Sequence, residues 1–240
     1  MELKRFFAEK EAYDGKNIII KGDEFYHMFK VLRHKIGYDL IVSLGDGKDY
    51  YSTITQIEKD FAIVKVNKIE PNPCHTDMEI CLFQALPKGS KIDFIIQKCV
   101  ELGVKTIYPF NSAYVNETKF APDRLKRVSI EAAKQTGIGV KPFIGDLISF
   151  DEMLNKLSSY DLVVCPYEKA TTEKIKNIEF KSTIKSIAYV IGSEGGFKET
   201  EIKEIEDRGA KIISLGCQIL KSDTAAIITA ALIRYKLGEI

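Results

Sequence analysis

Charge of one sign is missing from this chain. Its 35 Lys and Arg stand against 34 Asp and Glu, a formal net charge of +1 over 240 residues. A protein that holds nucleic acid through bulk charge is strongly basic, so that class is excluded, while a local basic patch is not. Cysteine is scarce: Cys74, Cys81, Cys99, Cys165 and Cys217 are odd in number and form no CxxC, which fits neither a disulfide framework nor a zinc ribbon. They read as small apolar residues of a reducing compartment. Long hydrophobic runs are absent too. The longest, 225–233, falls far short of the about 20 residues that span a bilayer. The opening MELKRFF is too polar for a signal peptide. The expectation is a soluble, cytoplasmic protein. At 45% hydrophobic and 29% charged residues, disorder is excluded as well. A chain this long can bury a sizeable core without disulfides or metals.

What is present changes character at Pro71-Asn72-Pro73-Cys74, which reads as a stiff connector. This divides the chain into 1–70, a linker 71–76, and 77–240. The first part is rich in turn signals (Asp14-Gly15, Gly22-Asp23, Gly45-Asp46-Gly47) between short β-like runs at 17–20, 39–42, 50–57 and 61–66. Only 27–34 reads as helical, so a small β-barrel is expected. Its charges cancel, with 12 Lys/Arg and 12 Asp/Glu in residues 1–70. The second part alternates strands at 79–85, 106–110, 162–165, 186–191 and 212–215 with helices at 90–102, 122–136, 200–208 and 224–237. In the first of these helices Ile92, Ile95, Ile96 and Cys99 keep helical spacing, with Ser90 as its expected cap. Such alternation implies a parallel sheet covered on both faces.

In open α/β sheets ligands bind at the carboxyl ends of the strands. Four of these ends are unusual: 85–89, 165–168, 191–197 and 215–224. Gly192-Ser193-Glu194-Gly195-Gly196 is glycine-rich, yet it is neither a P-loop nor GxGxxG. Glu194 would repel a polyphosphate. The loop therefore suits either a tight turn without a ligand or a neutral or cationic ligand approached by backbone. The segment from Leu215-Gly216 to Lys221-Ser222-Asp223-Thr224 reads either as a helix cap by Ser222 or Asp223, or as a pocket wall. Lys119, Arg124, Lys126 and Arg127 form the most basic stretch, a solvated helix face or a phosphate contact. Arg5, His27, Lys30, Arg33, His34 and Lys35 offer a second patch. His27 shares no ligand-like spacing with another His, Cys or acid, so no metal site is expected.

At these residues the sequence resembles the SPOUT-class 16S ribosomal RNA uridine-N3 methyltransferases of the RsmE type. The matching blocks run in family order over nearly the whole chain: Arg5-Phe6-Phe7, His27 with 31–33, 85–93, 96–104, 131–135, 191–197 and 215–225. The resemblance implies a PUA-like N-terminal β-barrel that binds RNA, and a SPOUT domain whose parallel sheet carries a C-terminal trefoil knot. It implies a homodimer, with S-adenosylmethionine held by Pro166, Ile191, Gly192, Ser193, Glu194, Gly195, Gly196, Leu215, Gly216, Ile219 and Leu220. The partner is 16S ribosomal RNA or the small ribosomal subunit, met by Arg5, His27, Arg33, Lys88, Arg124 and Arg127. For the reaction, Asp223 is assigned as base or orienter. Lys221 is assigned to offset charge on the uracil oxygens, and Thr224 to hydrogen-bond the base. The chain departs from the family pattern at Ser193 (usually Pro), Gln218 and Lys221 (Arg), 222–223 (Thr-Glu) and Leu125 (Trp). It also lacks the family Arg in 112–115 and after Gly137, where Ile138 stands. Two rival functions are a SPOUT methyltransferase with another RNA target, and a non-catalytic RNA-binding or assembly factor.

Overall fold

In a computed structural model, which describes residues 3–115, 120–170 and 173–240, the chain forms two compact units. One comprises Met1–Thr76 with Ala133–Lys141, the other Asp77–Ala132 with Pro142–Ile240.

The first unit is a five-stranded sheet of β1 (Arg5–Phe7), β2 (Asn17–Lys21), β3 (Asp39–Ser43), β4 (Lys48–Ile57) and β5 (Phe61–Pro71), in the order β1-β3-β4-β5-β2. The strands alternate as their sequences require: Ile18 and Ile20 are buried while Ile19 faces out. Register shifts between β4 and β5, at Tyr51/Ser52 and Ile54/Gln56, bend the pair. The sheet closes over Phe6, Ile18, Ile20, Leu40, Val42, Ile54 and Val64, with Phe25 and Met28 packed in from a helical segment. β1 and β2 remain its two edges, so the expected barrel is a half-barrel sheet. The helix read at 27–34 begins earlier, as α1 (Gly22–Tyr26), and continues as a π-helical turn over His27–Val31. Leu32 N–H reaches back to the His27 carbonyl at 2.9 Å, and Arg33 follows with φ 55°. Pro71 is the last residue of β5 rather than part of a free connector. Asn72 then anchors the chain, its Nδ2 donating to Asp49 Oδ1 and to the Gly137 carbonyl, both at 2.9 Å.

The second unit is a six-stranded sheet of β6 (Glu79–Ala85), β7 (Thr106–Phe110), β8 (Phe143–Ile144), β9 (Leu162–Pro166), β10 (Ser186–Ile191) and β11 (Lys211–Ile213). Every pairing is parallel, in the order β11-β9-β10-β6-β7-β8. The central strands are buried on both faces, which explains the apolar runs 80–83 of β6 and 187–191 of β10. Cys81, Phe83, Val163, Cys165, Ala188 and Val190 pack under α4 (Phe150–Leu157) and α5 (Glu199–Asp207). On the opposite face α2 (Lys91–Glu101) packs against α6 (Ser222–Lys236). There Tyr189 on β10 donates to Cys99 Sγ at 3.4 Å. Burial raises the Cys81, Cys99 and Cys165 thiols well above their ordinary range, as expected of core residues rather than reactive ones. α3 (Pro122–Thr136) starts on its proline and ends before Gly137. Ser90 precedes α2 but makes no side-chain cap bond.

Candidate active site

The carboxyl ends of β9 and β10 and the segment after β11 enclose a cavity of about 510 Å³, within the usual range for a small-molecule site. Its walls include Pro166 after β9, residues 191–197 after β10, and Leu215, Gly216 and 218–223 leading into α6. All eleven residues assigned to the cofactor lie on it: Pro166, Ile191, Gly192, Ser193, Glu194, Gly195, Gly196, Leu215, Gly216, Ile219 and Leu220. Lys221 and Asp223 line it as well, whereas Thr224 does not.

The glycine loop turns through a Gly196 N–H bond to the Ser193 carbonyl at 3.0 Å. Gly196 adopts φ 67°, a conformation that L side chains rarely adopt. A Cβ on Gly195 would stand 2.8 Å from that of Tyr114, so only glycine admits this contact.

Three features hold the walls. Lys91, the first residue of α2, places Nζ 2.6 Å from Glu194 Oε1, and the Lys88 N–H approaches the same carboxylate at 3.3 Å. Burial pushes the Glu194 pKa up, but these donors outweigh it and leave the carboxyl below its usual range. Ser222 is buried. It donates to the Gly192 carbonyl at 2.5 Å and accepts from Gln84 Nε2 at 3.0 Å. It is thus a staple between β6, the glycine loop and α6, not the helix cap, a position that Lys221 occupies. Thirdly, Asp223 Oδ1 accepts from the Thr224 N–H at 2.8 Å and from the Thr224 hydroxyl at 3.4 Å.

The residues assigned to RNA are spread over both units. Arg5 is a correction: its guanidinium is only 8% exposed and is paired bidentately with Asp49 and bonded to Ser43. It holds β1 to β3 and β4 and presents nothing to a phosphate. His27 is half-buried, with Nδ1 3.4 Å from Lys134 Nζ. Arg33, Lys88, Arg124 and Arg127 are exposed, and Arg124 is paired with Asp93. Lys119 lies outside the described residues.

Lys91, Tyr167, Glu168, Phe197 and Gln218 also line the cavity but are missing from the sequence assignment. Tyr167 and Glu168 directly follow the assigned Pro166, and that adjacency was the available signal. Lys91 lies in no loop by sequence, and only the fold brings it to Glu194. Among the described residues no cluster of His, Cys, Asp and Glu could hold a metal ion.

Comparison with known proteins gives the class. The RNA methyltransferase domain matches residues 74–234, and the RNA methyltransferase PUA domain matches 20–67. The chain belongs to the RNA methyltransferase family. Within it, the chain is similar to ribosomal RNA small subunit methyltransferase E. It is 26% identical to that protein of Bacillus subtilis over 98% of this chain and 97% of the relative. It is 29% identical to ribosomal RNA small subunit methyltransferase E 2 of Borreliella burgdorferi over 99% of each. A ribosomal RNA small subunit methyltransferase E from Neisseria gonorrhoeae, crystallised with S-adenosyl methionine, superposes with a TM-score of 0.83. It is 25% identical and 98% of each chain is covered.

Proposed function

We propose that the protein transfers a methyl group from S-adenosylmethionine to N3 of a specific uridine in 16S ribosomal RNA of the small subunit. One observation carries this reading: strand-end loops far apart in sequence converge on a single glycine-walled cavity. That cavity suits the cofactor. Ile191, Leu215 and Leu220 offer apolar walls, the glycines expose backbone for close approach, and Glu168 and Asp223 face a cationic or hydroxyl-bearing ligand with carboxylates. When bound there, the cofactor supplies an electrophilic methyl on a cationic sulfur.

The chain's own residues do the rest. The N3 proton has to leave as the nitrogen–carbon bond forms and the carbon–sulfur bond breaks. Asp223 takes that proton, a role supported by its place on the cavity wall and by the Thr224 bonds that hold its carboxylate. Lys221 offsets the negative charge that develops on the uracil oxygens. Holding the two reactants in line is the larger contribution. His27, Arg33, Lys88, Arg124 and Arg127 contact the RNA backbone, and Arg5 is left out of this set because its guanidinium is taken up by Asp49 and Ser43. A cytoplasmic homodimer whose C-terminal segment threads a trefoil knot completes the proposal. The knot alone draws support from the strand order, in which β10 lies between β9 and β6, and from the return of the chain to the glycine loop at Ser222.

Titration calorimetry with S-adenosylmethionine tests the reading. The expected result is saturable binding of one equivalent per chain. Absence of binding by the folded protein would favour the non-catalytic RNA-binding alternative instead.

A further inference from the structure

A second cavity, of about 400 Å³, shares Ser193, Glu194 and Gly195 with the first and is completed by Leu86, Lys88 and Tyr114. Three observations set it apart from an ordinary crevice. Tyr114 is 45% exposed, as tyrosines often are in part. Its loop is nevertheless pinned. The Ala113 N–H donates to the buried Glu201 carboxylate at 2.8 Å, the Val115 N–H bonds the Ser112 carbonyl at 3.0 Å, and Gly195 gives way to the tyrosine. Lys198 Nζ lies 5.8 Å from the ring centroid, so the ring already engages a cation. Finally, Ser193 is 7% exposed, and its Oγ is enclosed with no hydrogen-bond partner among the described residues. A buried hydroxyl left unpaired costs stability, and such a group calls for an explanation.

A rigid, exposed aromatic face, an apolar floor at Leu86, a cation at Lys88 and an unsatisfied hydroxyl together describe a receptor for a flat, polar, π-faced ligand. We infer that this cavity takes the target base of the RNA, turned out of its stack, with the Tyr114 ring stacked on it, Ser193 Oγ donating to a base carbonyl, and the N3 edge turned toward the first cavity, whose wall holds Lys221 and Asp223. The inference rests on the function proposed above, because the shared wall at 193–195 sets a base in this cavity beside a cofactor in the first. Enzymes that act on a base extract it from its stack and recognise it by stacking and edge hydrogen bonds. Tyr114 is accordingly a positioning residue for the base, without a part in the chemistry.

The test measures transfer of labelled methyl from S-adenosylmethionine to small ribosomal subunits that lack the modification, alongside cofactor affinity for each variant. Stacking on an aromatic side chain is worth enough that Tyr114→Leu should lower kcat/KM for the subunits about tenfold or more. Tyr114→Phe should retain the turnover that the leucine variant loses, and cofactor affinity should be equal in both. Ser193→Ala should lower kcat/KM about fivefold without loss of thermal stability, since no intramolecular bond is removed. Equal turnover of the leucine and phenylalanine variants would overturn the inference, as would losses that track weakened cofactor binding. Wild-type protein that transfers no methyl at all would overturn the proposed function and this inference with it.

Discussion

Arg5 and Asp49 form a buried, bidentate ion pair whose remaining polar neighbours are Ser43 and Asn72. Breaking a buried pair strands a charge, so Arg5→Ala should cost about 3–5 kcal/mol of stability, read from denaturant unfolding. Burial raises the Asp49 pKa, but the hydrogen bond from Arg5 and those from Asn72 and Ser43 outweigh it, and the carboxyl sits below its usual range. A depressed carboxylate contributes stability above its unfolded value of about 3.9, and that contribution is lost as pH falls through the lower folded value. Acid unfolding should therefore flatten in Asp49→Asn, which should already be destabilised at neutral pH. An unchanged acid transition would show that the pair contributes nothing. The same residue marks a limit of sequence reading. An exposed arginine and a buried one look alike until the partner, 44 positions away, is brought beside it.

At the scale of elements, legibility follows length and period. The central strands β6 and β10 and the long helices α2, α3 and α6 are foreseen because their apolar spacing repeats often enough to be recognised. β1 and β8, of three and two residues, give no period to read and exist through pairing alone. α4 is the one avoidable omission. Ser149 and Glu152 form a full capping box, with Ser149 Oγ accepting from the Glu152 N–H at 3.2 Å, and the Ser-x-x-Glu spacing was available. At the start of α6 the sequence allows two readings, a helix cap or a pocket wall, and the structure has the wall. Ser222 looks like a cap, yet its hydroxyl bonds Gly192 and Gln84 across the sheet instead of its own helix. Ser222→Ala should consequently cost about 1 kcal/mol, the net worth of a hydrogen bond, because Gln84 Nε2 still reaches the Ala85 carbonyl at 2.9 Å and the Gly192 carbonyl at 3.4 Å. It should also weaken S-adenosylmethionine binding, because the glycine loop loses its tie. Calorimetric titration and thermal unfolding of the variant measure both, and intact cofactor affinity would show that the loop is held by other contacts.

For the whole molecule, three of the four strand ends singled out by sequence, 165–168, 191–197 and 215–224, supply most of the cavity wall, because an α/β sheet gathers its functional loops at one end. The return of 133–141 to the first unit left no trace in composition or period. It depends on contacts between distant segments, such as Lys134 with Glu24 at 2.7 Å. The near-zero net charge also gains a meaning. It excludes binding by bulk charge, and a few exposed cations such as Arg33, Lys88 and Arg127 are consistent with reading one folded site. RNA affinity should fall with salt on a shallow slope, since each neutralised phosphate adds about 0.7–0.9 to it. A steep slope, like that of a highly basic binder, would contradict this use of the charge.

The central claim concerns the modified nucleoside itself. Mass-spectrometric analysis of nucleosides from small-subunit ribosomal RNA, taken from a strain deleted for this protein, tests it most directly. The expected result is loss of 3-methyluridine, restored by the wild-type chain and not by Asp223→Ala. An unchanged level of 3-methyluridine in the deletion strain would contradict it.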